Sequence, residues 1–407
     1  MLRRILFGAV IAVTATASAV SLANDPKVVI SIEKSKTDNV ETTKPPFAGH
    51  RPTVDVAILL DTSNSMDGLI DQTKKQLWTI VQQFAKAKKH GKTPELRVAL
   101  FEYGNSNLPA SEGYIRQVVP LTDDLDKLSE SLFSLKTCGG DEYCGQVIGE
   151  AVKRLDWSKE PNGYKTIFIA GNEPFTQGTV DFHETCKRAI EKGIVVNTIH
   201  CGTREEGIQG GWQEGAKLAE GQFLNIDQDR AVVQIDCPQD TIIIKLNAEL
   251  NKTYLWYGAE SDRTHYAANQ VAQDENAQKS SLGTASSRAT AKAGGGYSNR
   301  NRDLVDTLAE DREILKKVKA EELPDELKSV QPEKREAYIR QMAERRAGIQ
   351  KQIQQLSTER DAYVAKEEKR MADKSIGATY GDAVVQAIRD QLAKSGFENA
   401  DGSERAN

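Results

Sequence analysis

The stretch "AILLDTSNSMDGLIDQTKKQLW", Ala57 to Trp78, decides the fold. An apolar run ends abruptly at Asp61, and Ser63 and Ser65 follow at every second position, alternating with Thr62 and Asn64. The period then changes to that of an amphipathic helix. Serine and aspartate at a strand-to-helix turn are preferred helix caps, but one hydroxyl is enough for a cap. Side chains at every second position of an extended segment point the same way. Carboxylate, hydroxyl and water oxygens are what hard divalent cations take. The spacing therefore favours a cation site over a cap.

Working outward, apolar runs alternate with helical patterns from Val54 to about Asp227. The runs are "VDVAILLD", "LRVALFEYG", "YIRQVVPLT", "KTIFIAGN", "GIVVNTIHC" and "GQFLNID", nearly continuous in Val, Ile, Leu and Phe. Strands covered by helices on both faces read this way. The pattern predicts an α/β fold: a doubly wound, mostly parallel six-stranded sheet. The second and third runs are joined by too short a loop for a crossover helix, so they should pair antiparallel at one edge. Ligands of such sheets bind beyond the carboxyl ends of the strands, which is where Asp61 sits.

The "DTSNS" loop in this setting resembles the Asp-x-Ser-x-Ser motif of von Willebrand factor type A (vWA) domains. The resemblance implies a metal-ion-dependent adhesion site with Asp61, Ser63 and Ser65 as its first three ligands. The family places a Thr in the loop after the third strand; here that loop reads "LKTCGGDEYCGQVIGEAV". Aligning its double glycine puts Asp141 in that place, with Thr137 as a weaker candidate. The family's Asp after the fourth strand is replaced by "IFIAGNEPF", so Gly171 or Asn172 stands there. Asn172 is placed at the metal, where its carbonyl could accept a water, or Glu173 could swing in as an additional ligand. The expected ion is Mg²⁺, with Ca²⁺ or Mn²⁺ as alternatives. By the same resemblance the partner is a protein offering an Asp or Glu.

The chain begins "MLRRILFGAVIAVTATASAVSLANDPK": two arginines, a short apolar core and small residues that fit signal-peptidase cleavage after Ala23. This reads as a signal peptide over 1–23 and a linker over 24–50, so the mature chain is expected to be periplasmic or secreted. No other segment reads as a membrane span. In an oxidising compartment five cysteines suggest bridges. Cys138 with Cys144 would pin the Asp141 loop, Cys186 with Cys201 would be a second pair, and Cys237 is left over.

A net charge of −5 over 407 residues lacks the basic footprint of a nucleic-acid binder. Beyond the vWA region, placed at 51–258, the texture turns polar and charged. A polar helix fraying into a linker is read over 259–300, and its "AGGGY" as flexibility. A helical hairpin or coiled coil is expected over 301–374, and an amphipathic helix capped by Asp382 within 375–407. Met342, Ile349, Leu356 and Tyr363 recur every seven residues, and Arg346 and Arg360 interrupt the second seam. That helix wants a partner, either "RDLVDTLAEDREILKKV" of the same chain or a second copy. Glu-rich segments such as "KAEELPDEL" could supply an acid to the metal site in cis. No nucleophile elbow, phosphate loop or zinc signature is present, so the chain reads as a binding protein and not an enzyme. Two alternatives stay open: an assembly device built on the helical tail with a degenerate metal site, and a metal-dependent hydrolase using His183 or His200.

Overall fold

The structure is a computed structural model and describes residues 51–226, 235–372 and 380–399. The signal-peptide and linker readings lie outside the described residues.

Along the first half run β1 (Thr53–Asp61), α1 (Asp67–Lys86), β2 (Ala87–Lys88), β3 (Glu95–Tyr103), β4 (Arg116–Thr122), α2 (Leu125–Ser134) and α3 (Cys144–Arg154). They are followed by β5 (Tyr164–Gly171), α4 (Phe182–Glu191), β6 (Ile194–Cys201), α5 (Arg204–Gln209), α6 (Trp212–Leu218) and β7 (Phe223–Ile226). The six-stranded sheet has the order β4-β3-β1-β5-β6-β7, and β4 is its antiparallel member. Asp61 is in register with Tyr103, and Leu60 with Ala170, so β1, β3 and β5 end at one level. The chain leaves β1 toward β3 and leaves β5 toward β6. The crevice between these diverging connections is where such sheets place ligands.

Period-two alternation divides the core. Val54, Val56, Ile58 and Leu60 face α1, with Met66, Ile70, Trp78 and Phe84 in the same cluster. Ala57 and Leu59 face α3, α4 and α6, with Val147, Ile148, Phe182 and Trp212.

The second half differs from its sequence reading. It contains α7 (Pro238–Asn251), α8 (Glu260–Ser280), α9 (Leu282–Ala293), α10 (Leu304–Glu310), α11 (Ile314–Lys317), α12 (Asp325–Lys328), α13 (Pro332–Ala372), α14 (Tyr380–Lys394) and β8 (Glu398–Asn399). The segment read as a linker is α9, and it is among the most deeply buried helices. Thr284, Ser286, Arg288, Ala289, Ala291 and Lys292 are all buried, with α1, α7, α8 and α13 around them. Its run of small residues lets four helices approach closely. The glycines after it serve the same purpose, since a Cβ on Gly296 would lie 2.7 Å from the Ala85 Cβ.

Nor does the tail stand apart. Val384, Ala387, Ile388 and Leu392 of α14 belong to the same cluster as β1 and α1. Gln391 Nε2 donates to Asn197 Oδ1 at 2.5 Å and its Oε1 accepts from Tyr164 Oη at 2.5 Å. β8 pairs with β2. The helical segment 235–372 is thus inserted between the last strand of the sheet and a last helix that returns to it. Asp382 lies inside α14, not ahead of it.

The arginines that interrupt the seam of α13 are its anchors. Arg346 is 4% exposed and pairs with Asp303 and Asp306 at 2.8 Å over the Tyr254 ring. Arg360 pairs with Asp240 at 2.6 Å. Ile349 and Ile353 are buried in the central core, so this seam finds its partner within the chain.

The expected disulfides do not form, and all five cysteines are free thiols. Cys201 faces the α1 side of the sheet. Cys186 lies in the core on the opposite side, so the sheet separates the two. Cys144 is buried with its Sγ 3.7 Å from Tyr103 Oη, whereas Cys138 is half-buried, its Sγ 3.2 Å from Ser106 Oγ. No helix among the described residues is long and apolar enough to cross a membrane.

Candidate metal centre

No loop side chain caps the short turn at Asn64–Met66 or α1. The oxygens turn toward one another. The Ser63 N–H donates to Asp61 Oδ1 at 2.8 Å, the Ser63 and Ser65 hydroxyls are 3.1 Å apart, and Asn172 Nδ2 donates to Ser65 Oγ at 3.2 Å. Thr62, between them, is turned away and held by Glu102 and the Tyr103 carbonyl.

Asp61 is fully buried. Two glycines make room for its carboxylate. A Cβ on Gly171 would lie 2.5 Å from Tyr103 Oη and 3.1 Å from Asp61 Oδ2. One on Gly104, whose φ is +76°, would lie 2.8 Å from Asp61 Oδ1. Gly171 therefore cannot carry a ligand, and Asn172 fills the place of the family's aspartate.

The loop after α2 brings a different acid from the expected one. Asp141 is exposed, and its carboxylate accepts from Tyr143 Oη at 3.1 Å. Its neighbour Glu142 is 6% exposed and points inward. The Glu142 Cγ lies 2.8 Å from the Gly104 Cβ position, beside Asp61 Oδ1. The cause is the path of the backbone. A Cβ on Gly140 would lie 2.7 Å from the Gly104 carbonyl oxygen, so the chain passes tight against β3's end, and the alternation of an extended segment then turns residue 142 inward. Thr137 also points elsewhere, donating to Asp67 Oδ1 at 2.5 Å. Glu173 is half-buried, close enough that its charge acts on both Asp61 and Glu142.

Electrostatics mark the place. Burial pushes the Asp61 carboxyl up to about 7 despite its hydrogen bonds from Ser63. Burial, with the charges of Asp61 and Glu173, pushes Glu142 up to about 8. Among the described residues no Lys or Arg pairs with any of the three. Asp61 Oδ2 and Asn172 Oδ1 are buried without hydrogen-bond partners. A buried carboxylate oxygen is costly to leave unpaired, and a hard divalent cation would satisfy both atoms. The donor set of two carboxylates, two hydroxyls and an amide oxygen fits Mg²⁺, Ca²⁺ or Mn²⁺.

His200 supports this face from behind. Its Nε2 lies 3.2 Å from the Asn172 carbonyl oxygen, to which the ring N–H donates, and burial pulls the imidazole below its ordinary value. His183 stands at the surface between Asp181 and Glu214. Glu142 went unread in the sequence because "DE" offers two adjacent acids and only one can face inward.

A mostly parallel sheet wound on both sides, with a cluster of hard oxygens at the divergence of β1 and β5, defines the class of protein. Residues 55–210 match the family model of the von Willebrand factor type A domain, and this part of the chain is a domain of that family. Solved structures similar to it include BatB from Bacteroides thetaiotaomicron, at 21% identity over 43% of this chain and 90% of that one, with a TM-score of 0.33. The vWA domain of SpRpn10 is 18% identical over 43% of this chain and 88% of that one, at a TM-score of 0.33. Proximal thread matrix protein 1 from the mussel byssus, in a structure with a zinc-occupied MIDAS motif, is 16% identical over 44% of this chain and 43% of that one, at 0.33. No curated protein matches the chain.

Proposed function

We propose that this is an exported binding protein whose vWA domain holds a divalent cation between Asp61, Ser63, Ser65, Glu142 and Asn172 and engages a protein partner through it. The observation that carries the reading is the pair of buried, partnerless oxygens, Asp61 Oδ2 and Asn172 Oδ1, beside carboxylates that no cationic side chain offsets. When bound, the cation supplies a Lewis-acidic position on the upper face. Asp61 and Glu142 balance its charge, the two serines and Asn172 orient it, and His200 holds the Asn172 backbone. Mg²⁺ is the first choice, with Ca²⁺ and Mn²⁺ as alternatives. Export rests on the basic and apolar N-terminal sequence.

The reading is of binding and not catalysis, because His183 is held at the surface between Asp181 and Glu214 and His200 donates to the Asn172 carbonyl with its other ring nitrogen buried. Assembly through the helical tail is disfavoured, since Ile349 and Ile353 of α13 are buried within the chain, leaving Tyr363 as the exposed end of the seam. The test is calorimetric titration of Mg²⁺, Mn²⁺ and Ca²⁺ into the chelator-stripped protein, beside Asp61→Ala. Saturable binding lost in the variant is expected. Equal heats in both proteins would remove the reading.

A further inference from the structure

Away from the cation crevice, at the carboxyl end of α1, lies a cleft of about 250 Å³, close to the lower end of the range for small-molecule sites. Four parts of the chain wall it: α1, β2 with the turn after it, α9 with its glycine run, and α13. We propose that this cleft binds a small hydroxylated phosphomonoester, a sugar or polyol phosphate, at Lys86 and Lys88. The proposal does not depend on the cation reading.

Charge selects the ligand first. Acids outnumber lysines and arginines in the chain, 59 to 54, yet two lysines and no carboxylate line the cleft. A cleft lined by one sign of charge concentrates ions of the other. Lys86 alone has a simpler reason to be there, since it ends α1 and a cation offsets the negative end of a helix. Lys88 has no such reason. It lies in β2, exposed, and pairs with no acid among the described residues. Lys86 Nζ is 3.5 Å from Asp361 Oδ2, an acid more than half exposed. Open pairs of this kind contribute little, so an incoming anion can replace it. Two ammoniums match the charge of about −1.5 to −2 that a phosphomonoester carries near pH 7, whereas a carboxylate brings a single charge.

The rest of the lining suits hydroxyls. Gln82 Nε2 donates to the Ser287 carbonyl and Gln354 Nε2 to the Thr290 carbonyl. Each amide is thus fixed by its nitrogen and keeps its oxygen as an acceptor. A ligand hydroxyl can use such an oxygen, and a bare oxyanion cannot. Thr93 adds a hydroxyl of its own. The space exists because its floor is small, with Ala85, Ala291 and Gly294 in place of larger side chains. No aromatic ring lines the cleft, so nothing there would stack on a nucleobase.

The test is calorimetric titration of the full chain, in chelator, with glycerol 3-phosphate and glucose 6-phosphate. Glucose, inorganic phosphate and the diester glycerophosphoglycerol are the controls. Saturable binding of a monoester is expected, roughly tenfold or more tighter than any control. Replacing both lysines, Lys86→Gln with Lys88→Gln, is expected to weaken it roughly tenfold or more. Should that double variant fail to fold, Lys88→Glu alone must still show the loss. Gln354→Ala is expected to weaken the monoester and leave inorganic phosphate unchanged. The proposal is overturned if neither monoester binds, if a control binds as tightly as the monoesters, or if a folded lysine variant binds as wild type does. Monoester affinity unchanged in Gln354→Ala would overturn the assignment of a hydroxylated ligand.

Discussion

Asp61 is costly to the chelator-stripped protein at neutral pH. Its folded value, pushed up to about 7, lies above the ordinary value of 3.8, and Glu142 is displaced the same way, to about 8. For acids raised on folding, the unfolded state releases its protons first. Stability is therefore full below about pH 4 and is lost as pH rises through 7 to 8. Thermal melts without cation should fall across that window, and saturating Mg²⁺ should restore them. Asp61→Asn removes the penalty and is expected to stabilise the chelated protein by about 1–3 kcal/mol at pH 8, less at pH 5, while abolishing cation binding. A variant that melts like wild type at pH 8 in chelator would contradict this. Gly171→Ala is the steric counterpart. Its methyl meets Tyr103 Oη and the Asp61 carboxylate, so cation affinity should drop sharply with a loss of about 1–3 kcal/mol in stability, both read by titration and melting.

At the scale of elements, buried ion pairs fasten the inserted helices. Arg288 of α9 sits between Asp126 of α2 at 2.8 Å and Asp274 of α8 at 2.5 Å, over the Trp78 ring of α1. Lys292 reaches Asp274 at 3.1 Å, and burial pulls its ammonium down to about 8. Burial works against the Asp274 charge, but Lys292 and Arg288 outweigh it and hold the carboxyl below its usual range. Removing one partner of such a set leaves an uncompensated buried charge. Asp274→Ala is expected to destabilise by about 3–5 kcal/mol, measured by denaturant unfolding. A loss below about 1 kcal/mol, typical of surface pairs, would show that the network is not structural. The thiols give a further check. With Cys186 and Cys201 on opposite sides of the sheet, alkylation of the unfolded, unreduced protein should modify all five cysteines, and fewer would mean that a bridge has formed.

At the scale of the molecule, the sheet and the helical region are one folding unit. The described residues fall within a single compact unit. α14 supplies Val384, Ile388 and Leu392 to the sheet's own core. A chain ending before Tyr380 is therefore expected to lose cooperative unfolding of the vWA domain as well as the tail, seen as the loss of its melting transition. An unchanged transition in the truncated chain would mean the tail is an appendage. Three ties of the helical region to the sheet domain, Arg300 to Glu95, Arg302 to Asp124 and Lys89 to the Ser395 carbonyl, lie at the lower end, away from the crevice.

The doubly wound sheet, its reversed edge strand and the Asp61–Ser63–Ser65 cluster were all legible in the sequence, because each rests on local signals: apolar runs, loop lengths and a period of two. Asn172 was legible once the strand end was placed. What the tertiary structure decided was of another kind. Whether Asp141 or Glu142 faces inward depends on Gly140 passing against the Gly104 carbonyl, a contact across 36 positions of sequence. Whether two cysteines meet depends on which face of the sheet each side chain takes. Whether a polar, alanine-rich stretch is a linker or a central helix depends on partners such as Trp78 and Asp126, which no local pattern announces. The sequence by itself determined what each segment tends to become, since propensity and periodicity act over a few residues. Only the folded chain decided which charges are buried together, since burial is set by distant neighbours.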